Sequence, residues 1–424
     1  MILRLLRWNV APYDATPVQK KNFLNVQTDA IGVGLANAAS PYLPVFLTRL
    51  GATNFQVGLL TAMPGVAGLM LAIFVGRFLQ NRRNIVPWFS VSRLLYLSAF
   101  TATGLVPFFV PQEQVILAIL IIWAVATLPQ TALGVSFSVV MNAVAGPTLR
   151  YELMARRWSI LGVTTALTVA FAGQFLGWFD FSLNYQLLFI LLSFGGLISY
   201  IFSRRISLPD SEPQPAIPGR SLRERTQGYF SLVAGYPDFT RFSAKRVVYL
   251  FGTLLATPLF PLYYVRVAEA PDAWIGYINT AQTIVLLVGY SLWTRQSRRR
   301  GSRFVLLTAT LGLSIYPALV ASTTNLTFIV IIVGLAGIFQ AGIDLVFFDE
   351  LMKTVPIEYS ATFVSLAQSM TYAASILGPL TGTWLAGQIG IAGGLMVASG
   401  VRFIGFLLFA FWNPKSQAQV VSNS

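Results

Sequence analysis

Two acidic side chains interrupt long apolar stretches of this sequence, and their setting suggests proton chemistry. Asp29 lies about one helical turn after Asn25, and Asp344 lies one turn after Gln340, so each acid shares a helix face with an amide. An ionisable residue at the centre of a membrane helix costs about 2.5–3.5 kcal/mol, and it normally faces a cavity or a partner. An acid that exchanges a cationic partner for an apolar setting can take up and release a proton. We therefore predict that Asp29 and Asp344 are proton-coupling groups.

A structural role explains the same two acids. Either could form a buried ion pair, for example with Lys245 or Arg246, and the sequence leaves both interpretations open. Arg93 and Arg402 also lie within apolar stretches, and each is expected to bind a backbone carbonyl or to extend towards the membrane surface.

Amides and one tyrosine supply most of the remaining polar groups at mid-helix positions. The candidate binding residues are Asn25, Gln130, Asn279, Gln282, Gln340, Gln368 and Tyr372. Amides both donate and accept hydrogen bonds without net charge, so this set suits a neutral or amphipathic organic solute. Hydrogen bonds between helices, worth about 0.6 kcal/mol each, are the alternative explanation.

The composition excludes most enzyme chemistry. The chain has no histidine and no cysteine, which removes Ser-His-Asp catalysis, thiol catalysis, Fe–S ligation and the commonest metal ligands. A phosphate-binding loop of the form G-x-x-x-x-G-K-[ST] is also missing from the sequence. We expect a protein that is not an enzyme and that needs no cofactor or metal.

The elements that position these residues are apolar stretches of about 20 residues, each able to cross a hydrocarbon layer as a helix. With 55% hydrophobic and 10% charged residues, the chain is predicted to be an all-α, polytopic membrane protein. The twelve predicted spans are Phe23–Leu47, Gln56–Phe78, Val86–Phe108, Val115–Met141, Trp158–Phe179, Leu183–Phe202, Val247–Val265, Trp274–Trp293, Phe304–Ala321, Leu326–Phe348, Phe363–Gln388 and Ile391–Trp412.

The net charge of +14 is concentrated in alternate loops. Basic residues precede the first span and follow the second, fourth, sixth and eighth, whereas Arg49 and Arg266 are the only ones assigned to the opposite side. Short loops rich in Lys and Arg stay in the cytoplasm, so both termini are predicted to be cytoplasmic. This distribution excludes a nucleic-acid-binding face and favours a multi-pass protein of the plasma (inner) membrane.

A long polar interval divides the spans six and six. We predict a cytoplasmic N-terminal segment at 1–22, a six-helix bundle at 23–202, a cytoplasmic linker at 203–240, a second bundle at 241–412 and a cytoplasmic tail at 413–424. The two bundles have matching features in the same order. Pro41-Tyr-Leu-Pro44 precedes Arg49 by the same spacing that separates Pro258-Leu-Phe-Pro261 from Arg266, which indicates an internal duplication.

With these features the chain resembles the major facilitator superfamily, over its whole length. The loop motif G-x-x-x-D-x-x-G-R-R/K of that family is partly present in the stretch from Gly76 to Arg83, where Gln80 replaces the acid and the second glycine is missing. The resemblance implies two pseudo-symmetric six-helix bundles around a central cavity that opens alternately to each side. It also implies that the fifth span packs on the eighth and the eleventh on the second, where the pairs Gly173 with Gly177 and Gly378 with Gly382 would let the backbones come close.

The resemblance favours a secondary active transporter that moves a small organic solute across the membrane by alternating access, with proton coupling left open. We expect a monomer whose partners are the lipid bilayer and that solute. The alternative is a non-transporting assembly factor, or one that delivers a pigment or cofactor, and a sealed apolar cavity would favour it. The duplication also relates the connection after the fourth span to the connection after the tenth span by symmetry. The resemblance brings these two connections together when the cytoplasmic side closes, which predicts a cytoplasmic gate formed by Arg156, Arg157, Asp349 and Glu350.

Overall fold

The computed structural model describes residues 15–80, 82–208, 236–354 and 360–412, and these ranges are predominantly α-helical. Most of the predicted N-terminal segment, most of the predicted linker and the predicted tail at 413–424 lie outside the described residues. The predicted domain boundaries therefore remain predictions.

The N-terminal half contains six helices between residues 15 and 208. They are α1 (Pro17–Asn37), α2 (Tyr42–Arg49), α3 (Asn54–Gln80), α4 (Val86–Phe109), α5 (Val115–Phe175) and α6 (Leu183–Ser203). The C-terminal half repeats this order. Its helices are α7 (Pro237–Ala256), α8 (Leu259–Arg266), α9 (Asp272–Arg300), α10 (Ser302–Ala321), α11 (Leu326–Thr354) and α12 (Ser360–Phe411).

Within the described residues, eleven helical segments are long and apolar enough to cross a membrane. The last of them lies in α12, where Gly390 has a φ of 80° and interrupts the helical backbone. That left-handed conformation favours glycine, and it falls where the sequence predicted the break between the eleventh and twelfth spans. The fold therefore provides the twelve predicted crossings, with two of them in α12.

The helices differ from the prediction at three places. The backbone of α5 is helical throughout its 61 residues, although a connection was expected between Met141 and Trp158. The first span is broken after Asn37 and continues as the short helix α2, and the seventh is broken in the same way before α8. Pro41 and Pro258 lie at these breaks, because a proline favours the start of a helix over its interior. The repeated break supports the predicted duplication.

The two halves pack on each other through α5 with α9 and through α3 with α12. The first contact depends on a glycine pair, because a Cβ atom on Gly173 would lie 3.0 Å from the Cα of Gly276. The predicted role of glycines in the second contact is wrong for Gly378 and Gly382. A Cβ atom on Gly378 would meet Leu254 of α7, and one on Gly382 would meet Leu255 of that helix, so both pack within the C-terminal half.

Candidate functional site

Arg49 connects the two halves at one end of the bundle. Its Nη2 lies 2.7 Å from Oδ1 of Asp272 and donates to the carbonyl of Ala270 at 2.8 Å. The Tyr185 hydroxyl also donates to Asp272, at 2.5 Å, and accepts from Arg49 Nε at 3.3 Å. The Arg49 and Asp272 side chains are 26% and 16% exposed, so the ion pair is largely withdrawn from solvent.

Arg266 makes the reciprocal connection from the C-terminal half. Its Nη1 donates to the Asn54 side-chain oxygen at 2.6 Å, and its Nη2 donates to the carbonyl of Ala52. Arg49 ends the short helix α2 and contacts Asp272, the first residue of α9. Arg266 ends the short helix α8 and contacts Asn54, the first residue of α3. Each arginine also donates to a backbone carbonyl of the opposite half. We call these two sets of contacts the Arg49 arm and the Arg266 arm of an interdomain latch.

The latch defines one end of the molecule, and we call it the latch end. At the opposite end, the basic end, the α3–α4 loop holds Arg82 and α9 ends in Arg298, Arg299 and Arg300. Among the residues that the structure describes, close packing between the halves extends from the latch end to about the middle of the helices. There, a Cβ atom on Gly162 of α5 would lie 3.0 Å from the Leu287 side chain of α9.

A cavity of about 370 Å³ lies in the C-terminal half, between α7, α10, α11 and α12. It extends from the middle of the bundle towards the basic end, because its residues fall up to about the middle of the crossing Pro237–Arg266, from the centre of α11 towards its end, and early in α12. Its lining residues are Arg246, Tyr249, Leu250, Thr253, Leu313, Gln340, Ile343, Asp344, Phe347, Leu351, Ala367 and Gln368. The cavity therefore combines an apolar and aromatic wall with two opposite charges and amides.

Asp344 is exposed on the cavity wall and is held by neutral donors. The Tyr290 hydroxyl donates to Oδ2 at 2.9 Å, and the Gln340 side-chain amide donates to Oδ1 at 2.8 Å. The described residues include no ion pair between Asp344 and Arg246. The Nε–H of Arg246 is buried and has no hydrogen-bond partner among the described residues.

The cavity includes two of the predicted amides besides Asp344, namely Gln340 and Gln368. Asn279 donates to the Ile275 carbonyl of its own helix at 2.8 Å, and Gln130 and Gln282 are only partly buried. Tyr372 lies at the contact between halves, where its ring would meet a Cβ atom on Gly68. Asn25 points elsewhere and donates to the Arg205 carbonyl at 3.1 Å, near the end of α6.

Asp29 lies in a separate, fully buried cluster within the N-terminal half. It binds the guanidinium of Arg93, accepts from Ser199 Oγ at 2.6 Å and lies 3.8 Å from Arg157 Nη2. The Arg93 and Arg157 side chains are each 3% exposed. Among the described residues, the cluster therefore holds two cations and one anion.

Close helix packing forms this cluster. A Cβ atom on Gly32 of α1 would lie 2.5 Å from the Gly195 carbonyl oxygen of α6, so these helices approach closely one turn from Asp29 and Ser199. The guanidinium groups of Arg93 and Arg157 lie over the rings of Phe89 and Phe137, at 4.4 and 4.6 Å. Such cation–π contacts help to hold the second cation beside the single acid that the described part of the cluster contains.

Two sequence expectations change as a result. The expectation that Arg93 binds a carbonyl or reaches the membrane surface is wrong, because it pairs with Asp29. The suggested partners of Asp29, Lys245 and Arg246, lie in the other half, where Lys245 binds the Trp412 carbonyl. The expectation for Arg402 is confirmed, since it donates to the Leu313 carbonyl at 2.9 Å.

The predicted gate residues are separated in this conformation. Arg157 lies in the Asp29 cluster, while Asp349 and Glu350 bind Lys353 of their own helix at 2.7 and 2.8 Å. Partial burial acts to lower the pKa of Lys353, but its bonds to the two carboxylates outweigh that effect and raise the pKa above its usual value. Arg156 lies in α5 beside Arg157 and is partly buried.

The latch was not predicted from the sequence, although Arg49 and Arg266 were noticed. Their shared position, just before Asn54 and Asp272 in the two repeats, was the available signal. Arg93 could also have been found, because a buried arginine needs an acid and the sequence offered only Asp29 and Asp344 within the spans.

Comparison with known proteins gives a family match in the C-terminal half. The model described as "Major Facilitator Superfamily" matches residues 246–424. Multidrug resistance protein MdtG of Proteus mirabilis (strain HI4320) is 24% identical over 166 residues, which is 38% of this chain and 41% of that protein. MdtG of Salmonella paratyphi C (strain RKS4594) is 26% identical over 163 residues, covering 37% and 40% of the two chains. The chain thus matches about two fifths of the length of these relatives.

Solved structures match the fold over nearly the whole chain. A bacterial homologue of the iron transporter ferroportin has a TM-score of 0.71 at 14% identity, covering 94% of this chain and 99% of its own. Nucleoside transporter NupG has a TM-score of 0.66 at 13% identity, covering 94% and 100%. A bacterial homologue of the lysosomal transporter Spinster has a TM-score of 0.65 at 12% identity, covering 93% and 97%.

The duplicated helix order, the family match in the C-terminal half and the shared fold agree with one another. Residues 246–424 match the Major Facilitator Superfamily model, and the chain as a whole shares its fold with these solved transporter structures.

Proposed function

We propose that this protein is a secondary transporter that moves a small organic solute across the membrane by alternating access. The observation that carries the proposal is the combination of a closed latch end with a charged cavity nearer the basic end. The Arg49–Asp272 ion pair and the reciprocal Arg266–Asn54 bond join the two halves at the latch end. A cavity reached from one side at a time is the geometry that alternating access requires.

The similar proteins support this assignment. MdtG is described as a multidrug resistance protein, and NupG as a nucleoside transporter. The ferroportin and Spinster homologues are both described in inward-facing states. We infer that the basic end of this chain faces the cytoplasm, as the loop arginines predict, and that the conformation described here is inward-facing.

The charge of the cavity lining also distinguishes the two candidate functions. A docking or delivery factor would be expected to have a sealed, apolar interior. Here Arg246 and Asp344 both line the cavity, and charged groups at membrane depth usually mark a solute or ion pathway. The transporter is therefore the function that the site favours.

Proton coupling, where it exists, is better assigned to Asp344 than to Asp29. Asp344 lies on the cavity wall and is bonded to neutral groups, so a solute or a proton can reach it. Asp29 is fully buried against Arg93, which favours a structural role in this conformation. We keep the gate of Arg156, Arg157, Asp349 and Glu350 as a proposal for the outward-facing state, in which the basic ends of both halves would meet.

Distances between spin labels can test alternating access without a known solute, because the chain has no native cysteine. Phe55→Cys with Val267→Cys reports on the latch end, and Arg82→Cys with Arg299→Cys reports on the basic end. All four side chains are exposed. In lipid nanodiscs, we expect a short distance at the latch end and a longer, broader one at the basic end.

Removing both arms by Arg49→Gln with Arg266→Gln should lengthen the latch-end distance and shorten the basic-end distance. Arg241→Gln, which removes an exposed charge elsewhere in the C-terminal half, is the control and should leave both distributions unchanged. Identical distributions at both ends after loss of the latch would indicate a rigid bundle and would favour a docking function.

A further inference from the structure

We propose that the cavity recognises a zwitterionic amphipathic solute, with its anionic group on Arg246 and its cationic group on Asp344. This inference rests on the proposed transport function, and it names the class of solute. It depends on three features of the cavity: a cation with spare donor capacity, a carboxylate with spare acceptor capacity and apolar residues in the same lining.

Arg246 supplies the anion-binding group. Its Nε–H is buried and has no hydrogen-bond partner among the described residues, and its side chain lines the cavity. Its neighbour Lys245 is engaged by the Trp412 carbonyl and is not part of the lining. An arginine at membrane depth is costly without a partner, and a guanidinium matches the geometry of a carboxylate or phosphate. An anionic group on the solute would provide that partner.

Asp344 supplies the cation-binding group. Its oxygens accept from the Tyr290 hydroxyl and the Gln340 amide, which orient the carboxylate without neutralising it. An ionised carboxylate offers about four acceptor positions, so two remain for the solute. Since the described residues include no ion pair between Asp344 and Arg246, both charges stay available for a solute that carries one of each sign.

The rest of the lining suits an apolar body. Leu250, Leu313, Ile343 and Phe347 line the same cavity. At about 370 Å³, the cavity falls within the range of small-molecule sites. A small ring or a short aliphatic chain that carries one charge of each sign fits this description, whereas a peptide segment or a lipid does not.

Equilibrium binding to the purified protein in nanodiscs tests the proposal with three probes that share a phenyl body. L-Phenylalanine carries both charges, 3-phenylpropionate carries the anion alone, and phenethylamine carries the cation alone. Hydrogen bonds to charged groups are stronger than neutral ones, so we expect L-phenylalanine to bind at least about tenfold more tightly than either relative.

Single substitutions assign each charge. Arg246→Gln should make L-phenylalanine bind no better than phenethylamine, and Asp344→Asn should make it bind no better than 3-phenylpropionate. Lys245→Gln and Asp238→Asn remove charges from α7 outside the cavity lining, and both should preserve the order of the three probes.

The proposal is wrong if either single-charge probe binds most tightly, if no probe binds, or if the order persists in both cavity variants. These measurements are made at equilibrium and need no conformational change. Charge selectivity and the spin-label distances can therefore fail independently, which separates this inference from alternating access.

Discussion

At the scale of single residues, the buried charges of this protein serve two different purposes. Asp29 is surrounded by Arg93, Arg157 and Ser199 within one half, whereas Asp344 lies on a cavity wall among neutral donors. Both acids look alike in the sequence, because each follows an amide by one turn within an apolar stretch. Their partners distinguish them, and substitution should show the difference.

Asp29→Asn should destabilise the protein strongly, because it leaves the guanidinium groups of Arg93 and Arg157 without an anion. Removing one partner of a buried ion pair typically costs about 3–5 kcal/mol. Thermal unfolding in detergent should show a melting temperature lowered by several degrees, partly restored by adding Arg157→Gln. Asp344→Asn is the matched control and should change the melting temperature little. Equal melting temperatures for the parent and the Asp29 variant would contradict the structural role.

The two latch arms should contribute unequally, because the Arg49 arm ends on a carboxylate and the Arg266 arm on an amide. Arg49→Gln should reduce the closed population at the latch end more than Arg266→Gln does. Each 1.4 kcal/mol by which the contributions of the two arms differ corresponds to about a tenfold difference in the equilibrium constant between the closed and open latch. Asp272→Asn should make the two arms alike. Spin-label distances between Phe55→Cys and Val267→Cys measure the closed population. Equal effects of the two arginine substitutions would show that the ion pair adds nothing to the hydrogen bonds.

At the scale of secondary-structure elements, glycines determine which helices touch. Gly173 and Gly276 allow α5 and α9 to meet near the latch, and Gly32 and Gly195 bring α1 against α6 around the Asp29 cluster. The first pair lies between the halves and the second lies within one half. Enlarging the first pair should therefore change conformation, whereas enlarging the second should reduce stability.

Gly173→Val should prevent closure at the latch end, because even a Cβ atom would lie 3.0 Å from the Cα of Gly276. We expect the latch-end distance to lengthen while the protein remains folded. Gly134→Val on the same helix is the control, since a Cβ atom there meets nothing within 4 Å. The contact would be irrelevant to closure if both variants gave the distance distribution of the parent.

At the scale of the whole molecule, the loop arginines and the latch define opposite ends. The positive-inside rule predicts that Arg82 and Arg299 face the cytoplasm and that the loop before α11, which includes Thr324, faces outward. The same assignment makes the described conformation inward-facing. Orientation is therefore the simplest global property to test.

In intact cells, an impermeant maleimide should label Thr324→Cys and should label Arg299→Cys only after the membrane is permeabilised. Both positions are exposed in the structure, so access alone decides the result. The reverse pattern would invert the topology and would make the described conformation outward-facing.

The predicted gate belongs to the same scale. Asp349→Asn with Glu350→Gln should raise the inward-open population several-fold, because partly exposed ion pairs contribute about 0.2–1 kcal/mol each when the basic ends meet. The Arg82→Cys and Arg299→Cys distance measures this shift, and reversing the charges on both sides of the gate should partly restore it. An unchanged distribution would leave these residues as partners of Lys353 alone.

The sequence by itself determined the class of fold and the positions of the membrane crossings, with the loop arginines predicting their orientation. These properties depend on local composition, since apolar length and loop charge can be read along the chain without knowing which helices meet. It also indicated the duplication, because Pro41 and Pro258 recur at equivalent positions and break the helix in each half. Asp344, Gln340 and Gln368 were recognised as candidate site residues because polar side chains are rare within apolar stretches.

Only the tertiary structure decided which of these residues meet. Asn25 and Asp29 share a helix face with the correct spacing, yet they point to the end of α6 and to the Arg93–Arg157 cluster instead of the cavity. Periodicity gives the relative direction of side chains on one helix but not the rotation of that helix against its neighbours. That rotation is set by close contacts such as Gly32 with Gly195 and Gly173 with Gly276, between residues distant in the chain. The latch depends on the same long-range contacts, which explains why its two arginines were visible in the sequence but their partners were not.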